Sequence, residues 1–177
     1  MNLQPTHLEN NLIKLVPLGP GDFERLYAIA ADPLIWEQHP ERERYKREVF
    51  QGFFDGALAS DSAFLIFDAQ TNNLIGSTRY YDYDEDKKEI AIGYTFLARS
   101  HWGGTHNRAL KELMINYAFQ YVGIIIFHIG GGNIRSQMAV QKLGGKKIAE
   151  ADGKEPGNVE QMKFTFALNK EDWNRQV

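Results

Sequence analysis

Residues 89–97, EIAIGYTFL, and residues 124–129, IIIFHI, decide the fold, because one helical stretch is all that separates them. The first run is rich in β-branched and aromatic side chains. The second reads as an uninterrupted apolar strand, the pattern of one buried on both faces. Between them, after Gly103 and Gly104, the residues Leu110, Leu113, Met114, Tyr117, Ala118 and Tyr121 recur on one helical face. A strand–helix–strand crossover within one sheet makes its two strands parallel neighbours. Ligands are expected at that crossover.

Upstream, Leu12 to Leu18 alternates like a strand and stops at Pro17, Gly19 and Pro20. Asp22 opens a helix carrying Phe23, Leu26, Tyr27, Ala30 and Ala31, ended by Pro33. A second helix is expected from about Arg42 to Ser60, with Tyr45, Val49, Phe53 and Leu58 on its stripe. Ala63 to Asp68 and Leu74 to Tyr83 then join Glu89 to Leu97 as three antiparallel strands with short turns between them. Downstream, Asn133 caps a helix running to Leu143. A strand from Lys146 to Glu150, a loop from Asp152 to Asn158 and a strand from Gln161 to Leu168 complete the chain. No repeat or linker divides it, so residues 1–177 form one domain. Its class is α/β of the α+β type: a mixed, mostly antiparallel sheet flanked by helices.

Composition narrows the chemistry. A chain of 177 residues, 43% hydrophobic and 24% charged, has the balance of a globular domain. It has no cysteine, which removes thiol nucleophiles, disulfides and thiolate zinc sites, and agrees with a cytoplasmic location. A net charge of −3 offers no global attraction to nucleic acid or to an anionic membrane, so any anion site is local. Residues 1–11 do not read as a signal peptide, and no apolar run approaches the roughly 20 residues a bilayer span needs. The five histidines form no His-x-x-x-His pair, so no metal is expected.

The segment from Ser100 to Arg108 lies between a strand end and a helix start, where unpaired amides and the helix dipole favour a phosphate. Gly103 and Gly104 let backbone approach such a ligand, and Arg108 adds charge; a plain glycine turn capping the helix is the other reading. The P-loop fingerprint fails because Lys147 follows Gly145 and Lys146. The dinucleotide fingerprint fails because Arg135 stands where its third glycine belongs.

The order of elements, together with Ile92-Gly93-Tyr94, Trp102-Gly103-Gly104 through Asn107, and Asn133-Ile134-Arg135-Ser136 leading to Lys142-Leu143-Gly144, resembles the GNAT superfamily of acetyl-CoA-dependent N-acetyltransferases. The branch it resembles includes ribosomal-protein N-terminal acetyltransferases, and the likeness spans nearly the whole chain. It implies that the two parallel strands splay apart and that acetyl-CoA is the cosubstrate. The pantetheine arm then pairs with backbone of Thr95, Phe96 and Leu97. The pyrophosphate lies on Trp102, Gly103, Gly104, Thr105, His106, Asn107 and Arg108, and Asn133 and Ser136 contact the arm.

The same resemblance implies direct acetyl transfer to a primary amine, on a protein N-terminus or a small molecule, without a covalent intermediate. Where relatives carry a glycine, an acidic residue and a tyrosine, this chain has Thr105, Ala91 and Val140. Ser136 is the hydroxyl expected at the leaving thiolate. Glu89 is the candidate base for the amine, about 7 Å along the strand from Ala91. Both also read as ordinary helix and surface residues. Trp36, His39, Tyr80, Tyr81 and Tyr83 are candidates for the acceptor cleft or for core packing. The acidic run Asp82, Asp84, Glu85, Asp86 is either an attractor of cationic amines or a solvated hairpin tip. Self-pairing into a homodimer stays open. The rival function is a CoA-binding regulatory module that no longer turns over.

Overall fold

Strands carrying apolar residues on both faces, residues 63–68 above all, build the first half of the sheet. In a computed structural model describing residues 1–152 and 162–175, the chain runs β1 (Leu8–Glu9), β2 (Ile13–Pro17), α1 (Phe23–Ala30), α2 (Arg47–Ala59), β3 (Ala63–Asp68), β4 (Leu74–Asp84) and β5 (Glu89–Leu97). It continues through α3 (His106–Ala118), β6 (Ile124–Gly130), α4 (Ile134–Lys142), β7 (Lys146–Ala151), β8 (Lys163–Asn169) and α5 (Lys170–Asn174). The strands form one sheet in the order β1-β2-β3-β4-β5-β6-β8-β7. Only β5 and β6 pair in parallel, and the other contacts are antiparallel. The mixed architecture and the crossover therefore match the expectation from sequence.

Strand alternation divides the core in two. Phe64 and Ile66 of β3, with Ile90 and Ile92 of β5, bury against Leu110, Met114 and Ile115 of α3. Ala63 and Leu65 point the other way, into Phe50, Phe53, Phe54 and Ala57 of α2 with Leu26 and Ala30 of α1. A helix–sheet–helix sandwich results, each face burying side chains worth about 1.5–3 kcal/mol apiece.

Four details depart from the sequence reading, the first being the short strand Leu8–Glu9, which has no counterpart in it. Residues Arg42–Tyr45 form a separate 3-10 turn, and Lys46 is extended (ψ 136°), so α2 starts at Arg47 and its buried stripe is Phe50, Phe53, Phe54 and Ala57. β6 is not buried on both faces: Ile125, Phe127 and Ile129 are buried while Ile126 and His128 between them are only half-buried. The last helix, α5, carries the buried Trp173 and has no counterpart in the sequence reading. Residues 153–158 of the expected loop, and Gln161 of the expected last strand, lie outside the described residues.

Tyr94 produces the most consequential irregularity. It sits at φ +50° where the β4–β5 register slips, so two steps on β4 (Ser77 to Arg79) face three on β5 (Phe96 to Gly93). This bulge inserts one extra residue and resets the alternation. As a result Gly93 and Tyr94 both lie toward α2, while Thr95 turns to the α3 side, where its hydroxyl meets Thr78 Oγ1 at 2.8 Å. At Gly76 a Cβ would stand 2.0 Å from the Phe96 carbonyl oxygen, so only glycine fits beside the bulged strand.

Candidate functional site

β5 and β6 are paired only through Glu89–Ile124, Ile90–Ile125 and Ala91–Ile126. Beyond Ala91, β5 continues to Leu97 against β4 alone, and beyond Ile126, β6 continues to Gly130 against β8 alone. The sheet therefore opens into a wedge whose walls carry unpaired backbone amides and carbonyls, a template for an extended amide-bearing ligand. Thr95, Phe96 and Leu97 lie on its β5 wall.

At the open end, Trp102 Nε1 donates to the Leu97 carbonyl at 2.9 Å and pins the loop to the strand end. The Arg135 guanidinium stacks on the other side of the loop, 3.7 Å from the Trp102 ring centroid, and ties α4 to the same corner. The left-handed position is Gly103, at φ +70°; Gly104 lies in open space without that requirement. His106, Asn107 and Arg108 follow as the first turn of α3, whose amides have no intrahelical partner. Arg108 meanwhile pairs with Glu112 at 2.7 Å. Across the wedge, Asn133 accepts from the Ser136 amide at 3.1 Å, capping α4, so its carbonyl oxygen is occupied and its amide NH2 is the group left for a ligand. Ser136 is half-buried in that first turn.

Glu89 does not join this group. It lies at the closed end of the wedge, opposite Ile124, with Lys87 Nζ at 3.8 Å. Ala91 and Val140, at 1% and 4% exposure, are packed apolar residues with no proton to exchange. Tyr80 belongs to the core, its hydroxyl donating to the Met114 carbonyl at 2.7 Å, and Trp36 is buried with its indole on the Ala30 carbonyl. The acidic run is a hairpin tip in which Asp84 pairs with Lys87 at 2.8 Å.

Two side chains missed from sequence flank the wedge instead. His128 is on the splayed part of β6, with Nδ1 at 2.9 Å from the Tyr81 hydroxyl. The Tyr81 ring packs over Gly93, where a Cβ would come within 2.9 Å of it, so the pair bridges the wedge from β4 to β6. Burial and then the nearby Lys163 charge hold the His128 imidazole below its ordinary pKa, which keeps it neutral near pH 7. Burial raises Tyr81, so its phenol stays protonated. The other missed residue is Lys111 of α3, 7% exposed, which donates to Thr95 Oγ1 at 2.7 Å on the opposite face. Burial lowers its pKa to about 7. A histidine inside IIIFHI and a lysine beside Leu110 were the available signals.

His101 and His106 are brought together by Asp68. Their Nε2 atoms lie 3.4 and 3.1 Å from Asp68 Oδ2, while Asp68 Oδ1 accepts from the Gln70 and Thr71 amides. The three donor atoms fall within 4.8 Å of one another, so the set has the residue types of a metal site, but the hydrogen bonds alone account for its geometry. These bonds, chiefly from the Thr71 amide, hold the Asp68 carboxyl well below the usual range. A depressed carboxyl adds stability above its ordinary pKa of about 4 that is lost as pH falls through the folded value. Asp68→Asn is therefore expected to lower Tm most near neutrality, with the difference from wild type shrinking as acid is added. A thermal melt series from pH 7 to pH 3 measures it.

No helix among the described residues is long and apolar enough to cross a membrane. A family model for the GNAT acetyltransferase domain matches residues 13–146. No curated protein matches the sequence. Among solved structures, a GCN5-related N-acetyltransferase from Brucella melitensis superposes with TM-score 0.81 at 17% identity, covering 97% of this chain and 83% of that one. A spermidine N-acetyltransferase from Vibrio cholerae, in complex with CoA and spermine, gives 0.72 at 16% identity over 93% and 99%. Mycobacterium smegmatis RimJ, in complex with CoA-disulfide, gives 0.71 at 15% over 90% and 83%.

Proposed function

We propose how this chain, which belongs to the GNAT acetyltransferase domain family, acts: it moves an acetyl group from acetyl-CoA directly to a primary amine. The observation that carries the reading is the parting of β5 from β6 after three residue pairs. Backbone of Thr95, Phe96 and Leu97 pairs with the amides of the pantetheine arm. The loop from Trp102 through Gly103, Gly104 and Thr105 to the α3 amides of His106, Asn107 and Arg108 receives the pyrophosphate, and the Asn133 amide meets the arm from α4. The acceptor is a primary amine on a protein N-terminus or a small molecule, the two classes that the resemblance to the ribosomal-protein branch implies.

In the transfer step, a bond forms between the amine nitrogen and the acetyl carbon, and the carbon–sulfur bond breaks. His128 takes the amine proton, its ring held by the Tyr81 hydroxyl. This role passes to His128 from Glu89, which the closed end of the wedge keeps away. Ser136 donates a hydrogen bond to the leaving thiolate. Holding amine and thioester in line supplies most of the acceleration, so no enzyme nucleophile is needed.

Acetyl-CoA is expected to raise the melting temperature and to release free thiol in the presence of an amine. A thermal shift with no thiol release from any amine would instead mark a CoA-binding regulatory module. Ser136→Ala is expected to lower turnover by about tenfold to a hundredfold with little change in CoA affinity. Unchanged turnover removes Ser136 from the chemistry.

A further inference from the structure

A cavity of ≈ 330 Å³ adjoins the wedge, lined by Arg44, Phe53, Arg79 and Tyr94 among others, with Glu41 also contributing. That is the lower end of small-molecule site volumes, which run from about 300 to 1,000 Å³. Arg79 is 8% exposed, and its guanidinium carbon lies 3.5 Å from the Tyr94 ring centroid. Its Nη1 donates to the Gly56 carbonyl at 2.6 Å, whereas its Nε is buried without any hydrogen-bond partner. Arg44 lies 4.8 Å from the Phe53 ring and 5.1 Å from the Trp36 ring.

Among the described residues, neither guanidinium has a carboxylate within 4.0 Å, Glu41 included. Burial pushes Arg44 down to about 10 and lowers Arg79 too, yet both stay charged at neutral pH. Arg44 Nη1 meets the His39 ring at 3.2 Å and feels Glu41 from farther off, so the two buried cations are only partly compensated, and an arriving anion lowers the remaining cost. The two arginines and Glu41 together leave one positive charge in the cavity. A polyamine would meet that charge as a repulsion. A carboxylate matches the planar fork of a guanidinium with two parallel hydrogen bonds.

We propose that the acceptor amine also carries a carboxylate, held in this cavity by Arg79 and Arg44. The proposal rests on the acetyl-transfer reading above and gives its substrate class. The Tyr94 bulge connects the two parts of the site: Tyr94 stacks on Arg79 on one side and meets Tyr81, the partner of His128, at 5.1 Å between ring centroids on the other. The acceptor's carboxylate then lies at the arginines, and its amine extends past Tyr94 and Tyr81 toward His128.

The experiment compares free amino acids with their carboxamides, together with spermidine and phosphoethanolamine. Acetylated product is measured by mass spectrometry, and binding to the CoA-loaded protein by calorimetry. The free acids are expected to exceed their amides by about tenfold or more in kcat/KM and in affinity. Arg79→Gln is expected to erase that preference, and Arg44→Gln, at the less buried arginine, tests the same point if the Arg79 variant fails to fold. Equal use of acids and amides, or a preference for spermidine, overturns the proposal, and a preference for phosphoethanolamine overturns the carboxylate assignment. If no amine is acetylated while acids still bind more tightly than amides, the transfer reading falls and the charge-selective cavity stands.

Discussion

Replacing His128 by glutamine is expected to lower kcat by about 10²–10⁴, the range for losing a positioned general base. Glutamine keeps a polar side chain of similar reach, so the strand and the contact with Tyr81 need not collapse. What it cannot do is accept the amine proton. Acetyl-CoA affinity should change little, because the backbone edges of β5 and the Gly103 loop stay in place. The pH profile supplies the second readout. His128 has a depressed pKa, caused first by burial, so the wild-type acid limb should fall below the ordinary histidine value of about 6.5. That limb disappears in the variant. A His128→Gln enzyme with wild-type kcat and an unaltered profile would leave the imidazole as packing. Tyr81→Phe separates positioning from proton transfer: it keeps the base, removes the 2.9 Å contact and should shift the limb without abolishing turnover.

The second large effect concerns stability. Lys111→Met is expected to stabilise the fold by on the order of a few kcal/mol near neutral pH, because a lone buried ammonium carries a desolvation cost that an apolar side chain of similar length does not. In a chain of this size each kcal/mol raises Tm by about 2–4 °C. The methionine orphans no partner, since Thr95 Oγ1 retains Thr78 Oγ1 at 2.8 Å. The sign with pH follows from Lys111 binding its proton less tightly when folded, with a pKa of about 7 against an ordinary value of 10.5. Between those values the unfolded chain holds more protons, so wild-type stability climbs as pH rises. Below the folded value the whole cost of the buried ammonium is present. The advantage of the methionine variant should therefore be greatest at pH 7 and below, and should shrink toward pH 10. Parallel melts at three pH values decide it, and a gain independent of pH would assign the effect to packing alone.

The crossover was legible in the sequence because strand and helix periods change cleanly around Gly103 and Gly104, and because parallel neighbours require a crossover. The caps were legible too: Asn133 performs the role that its position before a helix suggests. Glu89 lies at the closed end of the wedge for a physical reason. Counting two residues back along a strand gives the correct face but not the end at which two strands part, and that point is set by pairing with Ile124. Tyr94 was opaque because its left-handed φ follows from strand register rather than from residue type. Without that slip, simple alternation would put Tyr94 toward α3 and leave Arg79 without its stacking partner. His128 was concealed by its apolar neighbours, which made the strand read as buried on both faces. Arg44 and Arg79 are 35 residues apart in the chain, and nothing local marks them as sharing a cavity.

Because β5 and β6 meet through only three residue pairs, the sheet is mechanically two panels, one ending at β5 and the other made of β6, β8 and β7, joined by a narrow hinge and strapped by α3. A guest laid along the gap acts as a splint, coupling the panels over their full height. Such a guest would join the Tyr81–His128 contact as a second link across the gap.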